Sequence, residues 1–257
     1  MTALTREAIK KFRESVRGDV LSPGDAGYDA ARKLWNAMFD KRPALIVRCA
    51  GTADVIHSVR FAREQDLVVS VRAGGHSLAG KSVCDDGLVI DLSHMKGIRV
   101  DPVRSTAQAQ PGLLLSEFDR ETQAFGLATT GGIVSHTGIA GLTLGGGYGW
   151  LAGKYGLACD NLLSADVVTG DGRLLAASAS WWPRPHPACR PPPKPWLMGG
   201  STGSGSRVWI TRLDTSIAWG APRLEGGYVV GGLPYPRWKR PSERCGLSLG
   251  CLGLWDV

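Results

Sequence analysis

LVVSVRAGGHSLAGKS, residues Leu67 to Ser82, is an aliphatic run that breaks into glycines, with one histidine held at the break. Leu67, Val68, Val69 and Val71, bounded by Asp66 and by Gly74 and Gly75, read as a buried strand. The two glycines permit backbone angles and close approaches that a side chain forbids. The loop can therefore press bare N–H groups against a ligand, most naturally a phosphate. His76 sits on that loop. Upstream, Ala44 to Cys49 reads as a strand, and Thr52-Ala53-Asp54 as the cap of a helix from about Val55 to Glu64. This strand-helix-strand opening delivers His76.

Two chemistries compete for the loop. Gly75 to Ser82, GHSLAGKS, satisfies G-x-x-x-x-G-K-[ST], in which backbone amides cradle phosphates, lysine reaches the terminal phosphate and a hydroxyl holds magnesium. That chemistry requires a helix opening at the Lys-Ser pair. Val83 to Gly87 instead read as a turn, and Leu88-Val89-Ile90-Asp91-Leu92 as another strand, which counts against a P-loop triphosphatase. His76 taken alone also fits a polar loop residue satisfied by backbone.

Beyond Asp91 come short strands, Ile98-Arg99-Val100 and Thr106 to Ala109, broken by Asp101-Pro102 and Pro111-Gly112, and then a helix over roughly Leu114 to Phe125. Towards the N-terminus, residues 3 to 16 and Tyr28 to Phe39 read as helices, with Ser22-Pro23-Gly24-Asp25 as a turn between them. Alternating strands and helices without a dinucleotide fingerprint indicate an α+β fold rather than a Rossmann fold. A second glycine cluster follows. Residues 131 to 149 carry eight glycines in nineteen positions, too many for a regular helix or strand unless close backbone packing or a ligand requires them.

Composition bounds the rest. The chain has 257 residues, 43% hydrophobic and 21% charged, which is ordinary for a globular protein. MTALTREAIKKFRESVRGDV interleaves charges every few residues, so this stretch is neither a signal peptide nor a membrane span, and a cytoplasmic protein is the default expectation. Six cysteines (Cys49, Cys84, Cys159, Cys189, Cys245, Cys251) show no C-x-x-C pair, which favours free thiols and no metal. The net charge of +7 is unevenly placed. Residues 1 to 180 hold 20 Lys and Arg against 19 Asp and Glu, a balance of +1, whereas 181 to 257 hold 10 against 4, a balance of +6. A nucleic-acid reader carries its basic stripe on the folded body, so neither nucleic acid nor membrane is expected as a partner.

Arg72 to Gly80 with Gly87 to Ser93 after it, and GIAGLTLGGGYGWL followed by KYGLACDNLLSADVV, resemble the FAD-linked oxidases of the berberine-bridge-enzyme-like group, whose FAD domain is of the p-cresol methylhydroxylase type. GDVLSPGDAGYDAARKLWNAMFDKRPALIVRCAGTADV is similar to that family's opening segment. The resemblance implies FAD as cofactor, His76 bonded covalently to the flavin 8α-methyl, and oxidation of a small-molecule substrate with molecular oxygen as electron acceptor. It also implies backbone contacts to FAD at Arg72, Ala73, Gly74, Gly75, Ser77, Gly80, Gly131, Ser135, Gly138, Gly141, Gly145 and Gly146, with Val168 near the adenine. Ala73 stands where the family usually has glycine. Val134 stands where some relatives have a second linking cysteine, so a single link is implied. His136 fits either a hydrogen bond near the flavin ring or a solvated loop residue, and Tyr148 and Tyr155 are equally open between site and gap-filling roles. No catalytic base is named.

The resemblance runs from roughly Gly18 to Ser178. From residue 181 onward the chain holds 11 of its 15 prolines and 7 of its 9 tryptophans and shows no helix or strand periodicity of any length. The organisation expected is thus an N-terminal helical segment (1–39), an incomplete FAD-binding domain (40–180) and an irregular tail (181–257). The tail fits a proline-rich linker or, preferably, an out-of-frame translation. An inactive remnant that binds FAD weakly or not at all is the rival to an active oxidase domain.

Overall fold

The computed structural model describes residues 4–178, 208–216 and 218–219. Strands β1 (Asp19–Leu21), β2 (Leu45–Arg48), β3 (Val69–Arg72) and β4 (Leu88–Asp91) form a sheet in the order β1-β2-β4-β3. β4 runs parallel to both neighbours, with Val47 and Val71 opposite Ile90 and with Arg48 and Arg72 opposite Asp91. The sheet is covered on both faces, which is why β4 is an unbroken aliphatic run rather than an alternating one. Leu88 and Ile90 join one core with Leu45, Val47, Val55 and Val59, whereas Val89 and Ile46 join another with Leu21, Tyr28, Leu34 and Val83. Helix α1 (Arg6–Ser15) lies outside α3 (Thr52–Glu64), with Phe12 stacked on Phe61 at 4.1 Å.

Two local expectations change. α3 begins at Thr52, and Asp54 does not cap it from outside. Its carboxylate accepts the N–H groups of Arg17, Gly18 and Ala50 at 2.8–3.0 Å, tying the turn before β1 to the start of the helix. The helix expected over Tyr28 to Phe39 ends early, as α2 (Tyr28–Arg32). Past Arg32 the chain turns its donors outward to the His76 loop, so the intrahelical ladder stops.

The second sheet is antiparallel throughout. It contains β5 (Ile98–Asp101), β6 (Thr106–Ala109), β8 (Leu162–Thr169), β9 (Leu174–Ser178) and β10 (Val208–Ser216), in the order β5-β6-β10-β8-β9. Two-residue strands β7 (Leu127–Ala128) and β11 (Ala218–Trp219) pair beside it. Helix α4 (Leu115–Gln123) inserts Phe118 into this sheet's core with Leu113, Leu127, Ile139, Leu162, Val167 and Leu213, and Glu117 closes its first turn by accepting the Leu114 N–H at 2.8 Å.

β10 lies inside the stretch for which the sequence indicated no element. Its inward-facing residues include Thr211, Leu213 and Thr215, so a largely hydroxylated alternation replaces the aliphatic one that periodicity detects. The remaining expectations for 181–257 fall outside the described residues. Among those described, Cys49 and Cys84 are free thiols, and no helix is long and apolar enough to cross a membrane.

Ile90 is fully buried and meets both β2 and β3. Ile90→Ala is expected to cost about 2–5 kcal/mol in urea unfolding, whereas Val103→Ala, at an exposed turn, stays within about 0.5 kcal/mol.

Candidate functional site

The His76 loop leaves the carboxyl end of β3, the edge at which parallel sheets place ligands. At that edge Arg72 and Asp91 are register partners, and the Arg72 guanidinium donates to both Asp91 oxygens at 3.1 and 3.2 Å. Asp91 is only 1% exposed and also accepts the Ser93 N–H, so its charge is matched and hydrogen-bonded. Arg72 Nε is buried with no partner, close beneath Gly75.

The chain past α2 forms the outer wall of the loop. Trp35 N–H donates to Gly75 O at 3.0 Å, Asn36 Nδ2 to Leu78 O at 2.9 Å, and Lys41 Nζ to Gly80 O and Val83 O at 3.3 Å. The Phe39 ring covers Gly80 so closely that a Cβ there would lie 2.3 Å from it. Ser77 Oγ accepts the Lys81 N–H, closing the loop's last turn. No helix opens after Gly80. The chain turns and enters β4, which removes the P-loop triphosphatase reading.

The second glycine cluster crosses the first at one point. A Cβ on Gly74 would lie 2.4 Å from Gly138 N, and one on Gly138 would lie 2.6 Å from Gly74 N, so the two backbones touch with no room for a side chain on either. This contact draws together two runs of unused donors. Among the described residues no N–H from Gly74 to Ala79, and none from Gly131 to His136, donates to a backbone carbonyl. It also brings His76 Nε2 to 2.6 Å from His136 Nδ1, with the rings 4.7 Å apart, while the Trp35 indole stacks on His76 at 5.2 Å and 15°. Burial, and then the neighbouring His136, hold the His76 pKa below its ordinary value. The loop histidine is thus kept neutral.

After Gly138, helix α5 (Ile139–Leu144) does contain a glycine, Gly141. A Cβ on Gly141 would meet nothing within 4 Å, and Gly145, one turn on, is exposed as well, so the protein itself does not require glycine at Gly141. Gly131 lies against Leu115, Ser135 O accepts the Ser116 N–H, and Gly146 has a positive φ of 102°. Ala73 packs against the core of the antiparallel sheet. Val168 is different. It is 0% exposed within the first core, so its side chain presents nothing to a ligand. Tyr148 is largely exposed, and Tyr155 lies beneath the Lys154 ammonium.

A buried cavity beside Gly131, lined by Leu115, Phe118, Asp119, Thr130, Leu142 and Leu213, measures about 20 Å³. It has room for about one water, whereas sites for drug-sized molecules run to hundreds of Å³. That cavity is too small for a large cofactor. The unused N–H groups of the two glycine runs are of the kind that hold a pyrophosphate.

Residues 43–178 match the family model described as FAD binding domain. The chain belongs to that family. Its cofactor is FAD, and the fold is the mixed α/β one of p-cresol methylhydroxylase-type FAD domains. The chain is 41% identical over 164 residues to (R)-6-hydroxynicotine oxidase of Paenarthrobacter nicotinovorans, covering 64% of this chain and 36% of that protein. It is 40% identical over 181 residues to the FAD-linked oxidoreductase pgmH of Aspergillus terreus, covering 69% and 37%. The structure of 6-hydroxy-D-nicotine oxidase from Arthrobacter nicotinovorans superposes with a TM-score of 0.69 at 35% identity, covering 79% of this chain and 42% of that one. Physcomitrella patens BBE-like 1 superposes with a TM-score of 0.70 at 25% identity, covering 82% and 44%. The chain thus spans well under half the length of these relatives.

Within this FAD domain, sequence reasoning assigns no role to Trp35, Asn36, Phe39, Lys41 or Asp91. Trp35, Asn36 and Phe39 were hidden inside an expected helix. Asp91 left a signal, an acid ending one aliphatic strand where Arg72 ends its neighbour. Gly138→Ala is expected to cost about 1–3 kcal/mol in urea unfolding and to abolish nuclear Overhauser contacts between the His76 and His136 rings. Because its folded pKa is lowered, uncharged His76 contributes fully above the ordinary imidazole value of about 6.5, and that contribution is lost only as pH falls through the lower folded pKa. NMR titration is expected to show His76 protonating at a lower pH than a free imidazole.

Proposed function

We propose that this chain is the FAD-binding portion of an oxidase that acts on a small molecule. The observation that carries the proposal is the Gly74–Gly138 contact, which sets two runs of unused N–H donors around a neutral His76. In this reading Gly74, Gly75 and Ser77 on one run, and Gly131 and Ser135 on the other, hold the pyrophosphate. Gly138, Gly141, Gly145 and Gly146 offer bare backbone along the cofactor. Arg72 supports the loop from below through Asp91 and offers its unpartnered Nε. Ala73 and Gly80 set the ends of the loop.

His76 is the covalent attachment point, bonded from a ring nitrogen to the flavin 8α-methyl carbon, and Val134 leaves no second link. When bound, flavin supplies the redox chemistry: it takes hydride from a substrate C–H and passes the electrons to oxygen, giving hydrogen peroxide. The protein supplies binding, orientation and the fixed imidazole. An amine or alcohol carbon is the substrate class, by analogy with the hydroxynicotine oxidase above.

A second reading is an inactive remnant that binds FAD weakly or not at all; the matched part is little more than a third of the length of these relatives.

An absorption spectrum of the purified protein, and of its acid-precipitated pellet, separates the two readings. Flavin bands that stay with the pellet, and vanish in His76→Ala, are the expected result; a colourless protein supports the remnant. Gly141→Ala sharpens the test. With nothing within 4 Å of the new Cβ, it is expected to leave urea stability unchanged or raise it by about 0.5–1 kcal/mol while weakening FAD retention. Unchanged retention would remove Gly141 from the site.

A further inference from the structure

Flavin attachment as proposed uses only His76, yet His76 is not alone. Its Nε2 lies 2.6 Å from Nδ1 of His136, one face is stacked on Trp35, and the backbone beside it is held because Trp35 N–H donates to Gly75 O. His136 is equally fixed. Ser135 O accepts from Ser116 and Thr137 O from Leu115, so the backbone on both sides of His136 is bound to the start of α4. Among the described residues, His76 Nδ1 has no hydrogen-bond partner.

One proton sits between the two facing nitrogens, and its place decides the chemistry of the ring. If His136 Nδ1 carries it, the lone pair of His76 Nε2 is engaged and His76 Nδ1 is an N–H, so neutral His76 has no free nucleophilic nitrogen. If His76 Nε2 carries it, His76 Nδ1 holds a bare lone pair. The second arrangement puts both imidazoles in the Nε2–H form, the more stable tautomer of neutral histidine in water. It also leaves the His136 Nε2–H on an exposed ring that water can satisfy.

We propose that His136 is a positioning residue for His76: its Nδ1 accepts the His76 Nε2 proton, fixing the tautomer in which Nδ1 is the nitrogen open to the cofactor. Trp35 fixes the plane of the ring, and His136 fixes its proton. Attachment through Nδ1, which rests on His76 being the attachment point, would form the Nδ1–C bond as one 8α-methyl C–H bond breaks; the Nε2 proton would leave towards His136, and the two electrons and two protons set free would reduce the flavin and pass from it to oxygen.

The test is long-range proton–nitrogen correlation NMR on the 257-residue protein labelled with ring-¹⁵N histidine, at a pH well above the ordinary imidazole value of about 6.5. The expected spectrum has His76 Nε2 protonated and Nδ1 unprotonated. His136→Ala returns His76 to a tautomer mixture, and His136→Gln, whose amide oxygen can accept the same proton, restores the single form. A protonated His76 Nδ1 in the wild type, or a His76 signal indifferent to His136→Ala, overturns the proposal. The second arm is flavin retained in acid-precipitated pellets. His136→Ala is expected to slow covalent attachment about tenfold, with rescue by His136→Gln. Attachment at the wild-type rate in His136→Ala overturns the positioning role. A wild-type pellet without flavin, alongside the expected tautomer, refutes attachment at His76 and leaves the His136–His76 proton assignment standing.

Discussion

The site rests on the backbone contact between Gly74 and Gly138, where a single methyl group on either residue would collide with the amide of the other. It joins two segments that fold by different rules. Gly74 follows a strand of a parallel sheet buried on both faces. Gly138 precedes a short helix packed against the core of an antiparallel sheet. Both distinctive features of the site depend on this meeting: the two runs of unused donors and the pair of imidazoles.

Both sides of the contact are held by interactions that leave little freedom. On the first side, the Arg72–Asp91 pair locks the carboxyl ends of β3 and β4 together, and Trp35, Asn36, Phe39 and Lys41 grip the loop from outside. On the second, Leu113 O, Thr137 O and Ser135 O are occupied by donors from Ile139, Leu115 and Ser116. The N–H groups of both runs are therefore held in place by the fold itself, which lowers the ordering cost of any ligand they take. The neutral state of His76 follows from the same geometry, since burial and a second imidazole both oppose its charge.

Much of this was legible in residues 67–92. The aliphatic runs of β3 and β4, the glycine break and the histidine indicated a loop built for a ligand. The strand following Ser82 excluded a triphosphate loop, because that chemistry needs a helix there. Less legible were elements whose inward faces are polar. β10 buries Thr211 and Thr215, so no hydrophobic period marks it, and its partner strands lie about 40 or more and about 100 residues away along the chain. The segment after Arg32 has good helical composition, yet its donors are drawn to loop carbonyls more than 35 residues distant, and such competition has no local trace. Val168 matches its family's pattern, but its side chain serves the core.

The sequence by itself determined the kind of site: glycines where backbone must approach backbone or cofactor, one histidine on the loop, and a family resemblance strong enough to name FAD. These are local properties, set by which residues can adopt which backbone and present which atoms. Only the tertiary structure decided which glycines serve the fold and which are left to a ligand, since Gly138 is required by Gly74 while Gly141 is required by nothing nearby. It alone decided that His136, sixty positions along the chain, meets His76. The physical reason is the same in both cases: contact between distant segments is fixed by the packing of two sheets, and no short stretch of either segment encodes its neighbour.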